Sequence, residues 1–233
     1  MLRLVNFVAG YAGRREPVLD ISDIEFGPGL NYLIGRNGSG KSTLLRALAG
    51  SAPEVVAAGE ILRSGRSGKT GVVSQKASDS VFLDLSFRDN LLLATLDRWQ
   101  YISLAPLRQK GRIQRVETFA EALGLKRWVL EVSSTKAWDL SSGQQQLLSI
   151  LMRLMRSPDL LLLDECTANL DAENTEIVMN TLGRVASSGT VILFATHQLH
   201  LLEAYHGTAF ELADRGIREL RGEVVVALDS REG

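Results

Sequence analysis

Three things are scarce in this sequence: cysteine, net charge and long apolar runs. The single cysteine, Cys166, excludes an internal disulfide. A formal net charge of −1 gives no general field for nucleic acid or anionic lipid, so any phosphate must be held by a local site. The most apolar run, "LLLLD" after Asp159, is far shorter than the roughly 20 residues that span a bilayer. We therefore expect no membrane-spanning segment and no nucleic-acid partner.

The N-terminal stretch is too short and too interrupted to be a signal peptide, and with the lone cysteine it predicts a protein of the reducing cytosol. The chain has 233 residues, of which 45% are hydrophobic and 23% charged. That composition is enough for a large core. We expect one domain over residues 1–233 that carries an insertion.

Short β-rich runs separated by Gly and Pro extend from Leu2 to Ile34 and predict an antiparallel entry sheet, whose last strand is "LNYLI". After a glycine loop, "KSTLLRALAG" predicts a helix that ends at Gly50. Residues 78–156 show helical periodicity and predict an inserted helical subdomain, in which Ser86 and Asp89 have the spacing of a capping box.

The α/β pattern returns with "DLLLLDE" and "TVILFAT", which are nearly all apolar, as in parallel strands buried on both faces. A helical pattern, "AENTEIVMNTLGRVA", separates them, and the tail from Thr208 predicts closing strands. The expected fold class is α/β, with a mostly parallel core sheet, an N-terminal antiparallel β-subdomain and the inserted helices.

The stretch "GRNGSGKST" matches the P-loop pattern in full and lies between an apolar strand and a helix, as that pattern requires. Its backbone N–H groups would cradle phosphate, the lysine would meet the outer phosphates, and the serine hydroxyl would bind Mg²⁺. A flexible Gly/Ser loop is the alternative. The predicted ATP-binding residues are Gly35, Arg36, Asn37, Gly38, Ser39, Gly40, Lys41, Ser42 and Thr43.

Two acids follow a buried strand in "LLLLDE". Asp164, at the carboxyl end of the strand, is the predicted second ligand of Mg²⁺. Glu165 comes next, is expected to point to the other face, and is the predicted general base. A solvated strand end is the alternative interpretation.

His197 ends the other buried strand, where an imidazole can bind a γ-phosphate and hold water in line; a plain surface histidine is the alternative. Gln75 follows the strand "GVVS" and is either an ordinary loop residue or a neutral ligand to Mg²⁺ and the lytic water. His200 and His206 are expected to be surface residues. Cys166 is expected to be packed as a small hydrophobe, and redox sensing is its alternative.

A second anion-receiving feature lies about a hundred residues after the P-loop. The stretch "DLSSGQQQLLSI" opens an apolar helix with two serines and a glycine, which is the composition of a helix start that accepts an anion.

With this stretch added, the order of motifs resembles that of the ATP-binding-cassette (ABC) ATPases over essentially the whole chain. The resemblance implies a P-loop NTPase core, ATP and Mg²⁺ as cofactors, and a set of roles. By this resemblance Gln75 would be the Q-loop glutamine, Asp164 and Glu165 would be Walker B with its catalytic glutamate, and His197 would be the switch histidine. Tyr11 would be the aromatic residue that stacks on adenine. The D-loop would include Asn169 to Asp171, and the signature would include Ser141, Ser142, Gly143 and Gln144. Tyr11 as a core residue is the alternative.

Two departures from the family pattern stand out. Ser142 replaces the first glycine of L-S-G-G-Q, and "ANLD" replaces S-A-L-D. A side chain at Ser142 would cost up to about 1 kcal/mol if that position needed a positive φ, which would reduce turnover.

In this family two cassettes pack head to tail, and the signature of one closes over the ATP of the other. The resemblance therefore implies a homodimer, or a pair of close homologues, that ATP closes and hydrolysis opens. It also implies separate integral membrane permease subunits, a substrate-binding protein for small-solute uptake, and a place on the cytoplasmic face of the membrane. An exporter subunit is the closer alternative, and a cassette protein that acts on the ribosome or DNA is the other.

Overall fold

The structure is a computed structural model that describes residues 1–65, 67–96, 109–168 and 170–220. Its strands are β1 (Leu2–Tyr11), β2 (Leu19–Phe26), β3 (Gly29–Ile34), β4 (Val55–Arg63), β5 (Thr70–Val73), β6 (Leu160–Asp164), β7 (Val191–Ala195), β8 (Thr208–Ala213) and β9 (Gly216–Leu220). Its helices are α1 (Lys41–Ala49), α2 (Phe87–Ala94), α3 (Lys110–Ala122), α4 (Lys126–Val132), α5 (Ser142–Leu154), α6 (Ala172–Ala186) and α7 (His200–Ala204).

The strands form two sheets. The smaller is antiparallel, in the order β2-β1-β4. The larger has the order β5-β6-β7-β3-β8-β9; its first five strands are parallel and β9 runs antiparallel at one edge. The expected α/β class, with a mostly parallel sheet beside an antiparallel one, is confirmed.

The prediction for "LNYLI" is wrong. This run is β3, which lies in the middle of the parallel sheet between β7 and β8 and not in the antiparallel sheet. All of its residues from Leu30 to Ile34 are buried, which is the pattern of a strand covered on both faces. The third antiparallel strand is β4, which is largely exposed although most of its residues are apolar, and the sequence analysis assigned no strand to it.

Two polar residues of β3 are satisfied within the core. The Asn31 amide donates to the carbonyls of Gly27 and Gly29 at 3.0 Å and of Ile192 at 3.2 Å. The Tyr32 hydroxyl donates to the carbonyl of Tyr205 at 3.1 Å. A buried polar group is tolerated when it has such partners, so these side chains do not prevent a central position.

Helices α2 to α5 lie within residues 78–156, where helical periodicity was found. Ser86 caps α2 and accepts a hydrogen bond from the Asp89 amide at 3.1 Å, as its spacing predicted. Helix α1 ends at Gly50, which has φ 61° and donates to carbonyls of the last turn, as predicted. The apolar faces of α2 to α5 share one hydrophobic cluster with the parallel sheet, through residues such as Phe87, Leu147 and Leu161. Among the described residues, no helix combines the length and apolar composition needed to cross a bilayer.

Candidate active site

The P-loop connects β3 to α1 and depends on its glycines. Gly35, Gly38 and Gly40 have φ values of 148°, 83° and 106°. A Cβ at Gly35 would lie 2.5 Å from the Leu212 carbonyl oxygen of β8, so no larger residue fits there. The Lys41 ammonium donates to the Gly35 carbonyl at 2.5 Å and to that of Arg36 at 3.2 Å. The loop thus wraps around a buried cation at a helix N-terminus, which is an arrangement that favours a polyphosphate.

The P-loop serine lies beside the first acid of "LLLLDE". The Ser42 hydroxyl donates to Asp164 Oδ1 at 3.1 Å. In an octahedral Mg²⁺ site with ligands at 2.0–2.1 Å, adjacent oxygens are about 3 Å apart, so the two oxygens fit neighbouring ligand positions. Within the described ranges, no three His, Cys, Asp or Glu side chains gather as a cage. The residues therefore fit an open Mg²⁺ site that a nucleotide and water would complete.

Burial is the main influence on Asp164, and it raises the pKa of this carboxyl above its ordinary value of 3.8. The neighbouring charge of Glu165 adds to the rise, whereas the hydrogen bond from Ser42 and the charges of Arg46 and Lys41 oppose it. A carboxylate at this depth is costly without a cation, and a bound Mg²⁺ would remove that cost.

Two side chains contact the carboxylate of Glu165. Its Oε2 accepts from the Gln75 amide at 3.4 Å, and its Oε1 lies 3.4 Å from His197 Nδ1. These residues come from three strand ends, β5, β6 and β7, which the parallel sheet brings to one edge. Both contacts are long for hydrogen bonds, and contacts of this length between candidate catalytic groups can shorten when a substrate aligns them.

Strand alternation was expected to set the direction of the Glu165 side chain. The structure shows a different cause. Strand β6 ends at Asp164, and Glu165 has a left-handed backbone with φ 47° whose N–H donates to the Ala195 carbonyl at 2.9 Å. This turn sends its carboxylate to Gln75 and His197 while Asp164 faces Ser42. A left-handed conformation is unfavourable for a residue with a Cβ, so the site holds strain at the predicted base.

Helix α5 begins at the predicted anion-receiving stretch. Ser141 is its N-cap and forms a full capping box with Gln144. Ser142 is the first helical residue and is absent from the positions with positive φ among the described residues. The strain that a positive φ would bring at Ser142 therefore does not arise.

Gly143 has a role that sequence reasoning missed. A Cβ added to it would lie 2.5 Å from Cγ and 2.7 Å from Cβ of Asn174, in the first turn of α6. Asn174 is itself held by Asp171, which caps α6 and accepts from both the main chain and the side chain of Asn174. Asn174 thus connects Asp171, a predicted D-loop residue, to Gly143 of the predicted signature. Asn169 lies outside the described residues.

Tyr11 lies at the end of β1 beside the P-loop. Its hydroxyl is 3.3 Å from Thr43 Oγ1, and the Arg14 guanidinium is 5.6 Å from its ring centroid. The ring is therefore a partly exposed surface next to the P-loop rather than a core residue.

Cys166 is 2% exposed and burial raises the pKa of its thiol to about 12, so the prediction that it is packed is confirmed.

Two glutamines after the predicted signature bind main-chain carbonyls, and one of them connects α5 to the segment that carries Gln75. The Gln146 side chain, 3% exposed, donates to the Ser74 carbonyl at 3.2 Å. The Gln145 side chain donates to the Ala137 carbonyl at 2.9 Å. The repeated glutamines in the sequence were the available signal, but nothing in their pattern indicates which carbonyls they reach.

A profile of the ABC transporter family matches residues 24–168. The chain is 36% identical over 185 residues to the phosphonates import ATP-binding protein PhnC 2 of Nostoc sp., which covers 74% of this chain and 72% of that protein. It is 30% identical over 200 residues to the broad substrate specificity ATP-binding cassette transporter ABCG2 of Mus musculus, covering 83% of this chain but 29% of that protein.

Among solved structures, cbiO1 from Clostridium perfringens, part of the ABC transporter complex cbiONQ, superposes with a TM-score of 0.75 at 20% identity. The match covers 99% of this chain and 91% of that one. At this identity the likeness shows the shared fold.

Gly143→Ala should lower the free energy of unfolding by about 1–3 kcal/mol, because the added methyl must push α5 away from Asn174. Gly183 in α6 is the matched control, since a Cβ there meets nothing within 4 Å. Gly183→Ala should instead raise the free energy of unfolding by about 1 kcal/mol through helix propensity. Urea denaturation measures both, and equal shifts in the two variants would contradict the close-contact argument.

Asp164→Asn should stabilise the nucleotide-free protein at neutral pH. A raised folded-state pKa means that the ionised carboxylate lowers stability, and that this loss grows as pH rises above the ordinary value of 3.8. The amide oxygen can still accept from Ser42, so the neutral variant avoids the loss. We expect thermal midpoints that coincide at low pH and a higher midpoint for Asp164→Asn near pH 7. A lower midpoint at neutral pH would mean that the ionised group stabilises the fold.

Proposed function

The chain belongs to the ABC transporter family, and we propose that it is the ATP-hydrolysing subunit of a transporter that imports a small solute through separate membrane subunits. The observation that carries the proposal is the meeting of two pairs at one sheet edge. Ser42 with Asp164 is suited to Mg²⁺, and Glu165 with His197 is suited to water and a γ-phosphate.

In the proposed reaction, the oxygen of a water molecule attacks the γ-phosphorus of ATP, and the bond from that phosphorus to the β–γ bridging oxygen breaks. The products are ADP and inorganic phosphate. Glu165 accepts the proton that the water loses and returns it to solvent. His197 donates to a γ-phosphate oxygen, and Gln75 orients the water toward the phosphorus.

Ser42 and Asp164, with Gln75 beside Glu165, are the residues that would hold Mg²⁺, and the ion would neutralise charge on the phosphates. Lys41 would transfer its hydrogen bonds from the Gly35 and Arg36 carbonyls to the outer phosphates. Tyr11 would supply a π face to adenine.

A second copy of the chain would complete the nucleotide site. The start of α5 packs onto α6 through Gly143, whereas the P-loop packs against β8. We propose that Ser141, Ser142, Gly143 and Gln144 of one copy close over the ATP of the other, with Asn169 and Asp171 at the contact between copies. A helix N-terminus carries roughly half a positive charge, so the γ-phosphate would hold the copies together until hydrolysis removes it.

Glu165→Gln should trap this dimer. The amide cannot accept the proton of water, so ATP stays intact and the two copies remain closed. We expect sedimentation of a dimer in ATP and Mg²⁺ and of a monomer in ADP. Glu176→Gln, an exposed acid on α6, is the control and should not trap a dimer. A Glu165→Gln protein that stays monomeric with ATP and Mg²⁺ would overturn the dimer proposal.

Import is favoured by the similarity to PhnC 2, since the alignment covers most of both chains. The similarity to ABCG2 favours the alternative of an exporter subunit, although this chain covers 29% of that longer protein. In either case we place the chain on the cytoplasmic face of a membrane, bound to integral membrane subunits, with a substrate-binding protein in the import case.

An exposed apolar patch offers a surface for the membrane subunit. It consists of Phe82, Leu83 and Trp138, which are 51%, 39% and 60% exposed. The buried amide of Asn90 bonds to both the N–H and the carbonyl of Phe82, and the Trp138 N–H donates to the Leu83 carbonyl. The patch is therefore held on an ordered backbone that begins a few residues after Gln75, and exposed apolar surface of this kind marks interaction sites.

The double variant Phe82→Ser and Trp138→Ser should lose the membrane subunit and keep ATP binding. We expect the tagged wild-type chain to recover one multi-spanning protein from membranes of the source cells, and the variant to recover at least about tenfold less. Leu130→Ser, which removes an apolar side chain that is 50% exposed on α4, is the matched control. Equal recovery by both variants would contradict docking at this patch, and the captured protein would decide between import and export.

A further inference from the structure

The imidazole of His197 is not held in place by packing. Its side chain is 56% exposed, and its Nδ1 lies 3.4 Å from Glu165 Oε1. The geometry of this pair must therefore be set by the backbone on either side of the histidine.

Both neighbours of His197 are fixed by hydrogen bonds. The Thr196 N–H donates to the Leu33 carbonyl at 3.2 Å, and the Thr196 hydroxyl accepts from the Gln198 N–H at 3.0 Å. The Gln198 side-chain oxygen then accepts from the hydroxyl of Thr167 at 2.7 Å.

Thr167 is fully buried in the turn that follows Glu165. In this turn the Ala168 N–H donates to the Glu165 carbonyl and the Leu170 N–H donates to the Thr167 carbonyl. The bond from Thr167 to Gln198 is thus a short side-chain link between the turn that carries Glu165 and the loop that carries His197. The same turn leads directly to the residues that we place at the contact between two copies.

We propose that Thr167 and Gln198 are positioning residues that keep His197 in register with Glu165, an inference that rests on the proposed ATP hydrolysis. Neither side chain acts on ATP. Their bond fixes the separation of two groups that must both reach the γ-phosphate and its attacking water, and errors of about 1 Å in such a geometry cost up to about 100-fold in rate.

Thr167→Val keeps the shape of the side chain and removes its donor. We expect kcat for ATP to fall about tenfold and KM to stay within about twofold, because the P-loop contacts are unchanged. Thr167→Ser restores a hydroxyl and should recover most of kcat. Thr181→Val is the matched control: Thr181 is 1% exposed, and its hydroxyl also donates over 2.7 Å, to the Ile177 carbonyl in α6. It should leave kcat and KM unchanged.

Gln198→Leu removes the acceptor from the other side of the bond and guards against a folding defect at Thr167. It should reproduce the loss of kcat, and the double variant Thr167→Val with Gln198→Leu should be no slower than either single variant. Hydrogen exchange of the backbone N–H of Gln198 gives a measurement that does not depend on ATPase activity. It should be faster in Thr167→Val than in wild type.

The outcomes separate the two proposals. An active wild type with unchanged kcat in Thr167→Val, or additive losses in the double variant, would overturn the positioning role alone. A properly folded wild type without ATPase activity would overturn the proposed function, and the positioning role with it.

Discussion

The parallel pairing of β6, β7 and β3 is the constraint on which the site depends. Parallel strands end at one edge of a sheet, so this pairing brings Asp164, His197 and the P-loop to the same place although they are far apart in the chain. The fourth contribution, Gln75, arrives through β5 at the edge of the same parallel set. The inner strands, nearly all apolar, are buried on both faces, and that burial fixes their register and the relative height of the polar groups that follow them.

Sequence reasoning succeeded where the signal is local. The P-loop glycines, the acids after "LLLL" and the caps at Ser86 and Gly50 can be read from a few adjacent residues. It failed for β3, because the apolar run that fits an antiparallel sheet fits a central parallel strand equally well. Which of the two forms is decided by β7 and β8, more than 150 residues later in the chain.

The parts of the site that no pattern indicated are contacts between distant segments. A side chain at Gly143 would collide with Asn174. The hydroxyl of Thr167 donates a hydrogen bond to the side chain of Gln198, and this bond is the basis of its proposed positioning role. Both contacts join segments that are about 30 residues apart in the chain, and no local sequence pattern specifies that these segments meet. The left-handed backbone of Glu165 was also not predictable from the sequence, since two acids after an apolar strand look the same whether the second residue extends the strand or leaves it.

That left-handed backbone has a consequence for how the chain can change. At φ 47°, glycine or asparagine would relieve about 1 kcal/mol of local strain that glutamate bears. A selection for folding or expression alone would therefore tend to replace Glu165, and a selection for chemistry would tend to retain it. The two pressures act in opposite directions on residue 165, so in a library of variants selected for yield, the proposed catalytic base is the position where a gain in yield would coincide with a loss of turnover.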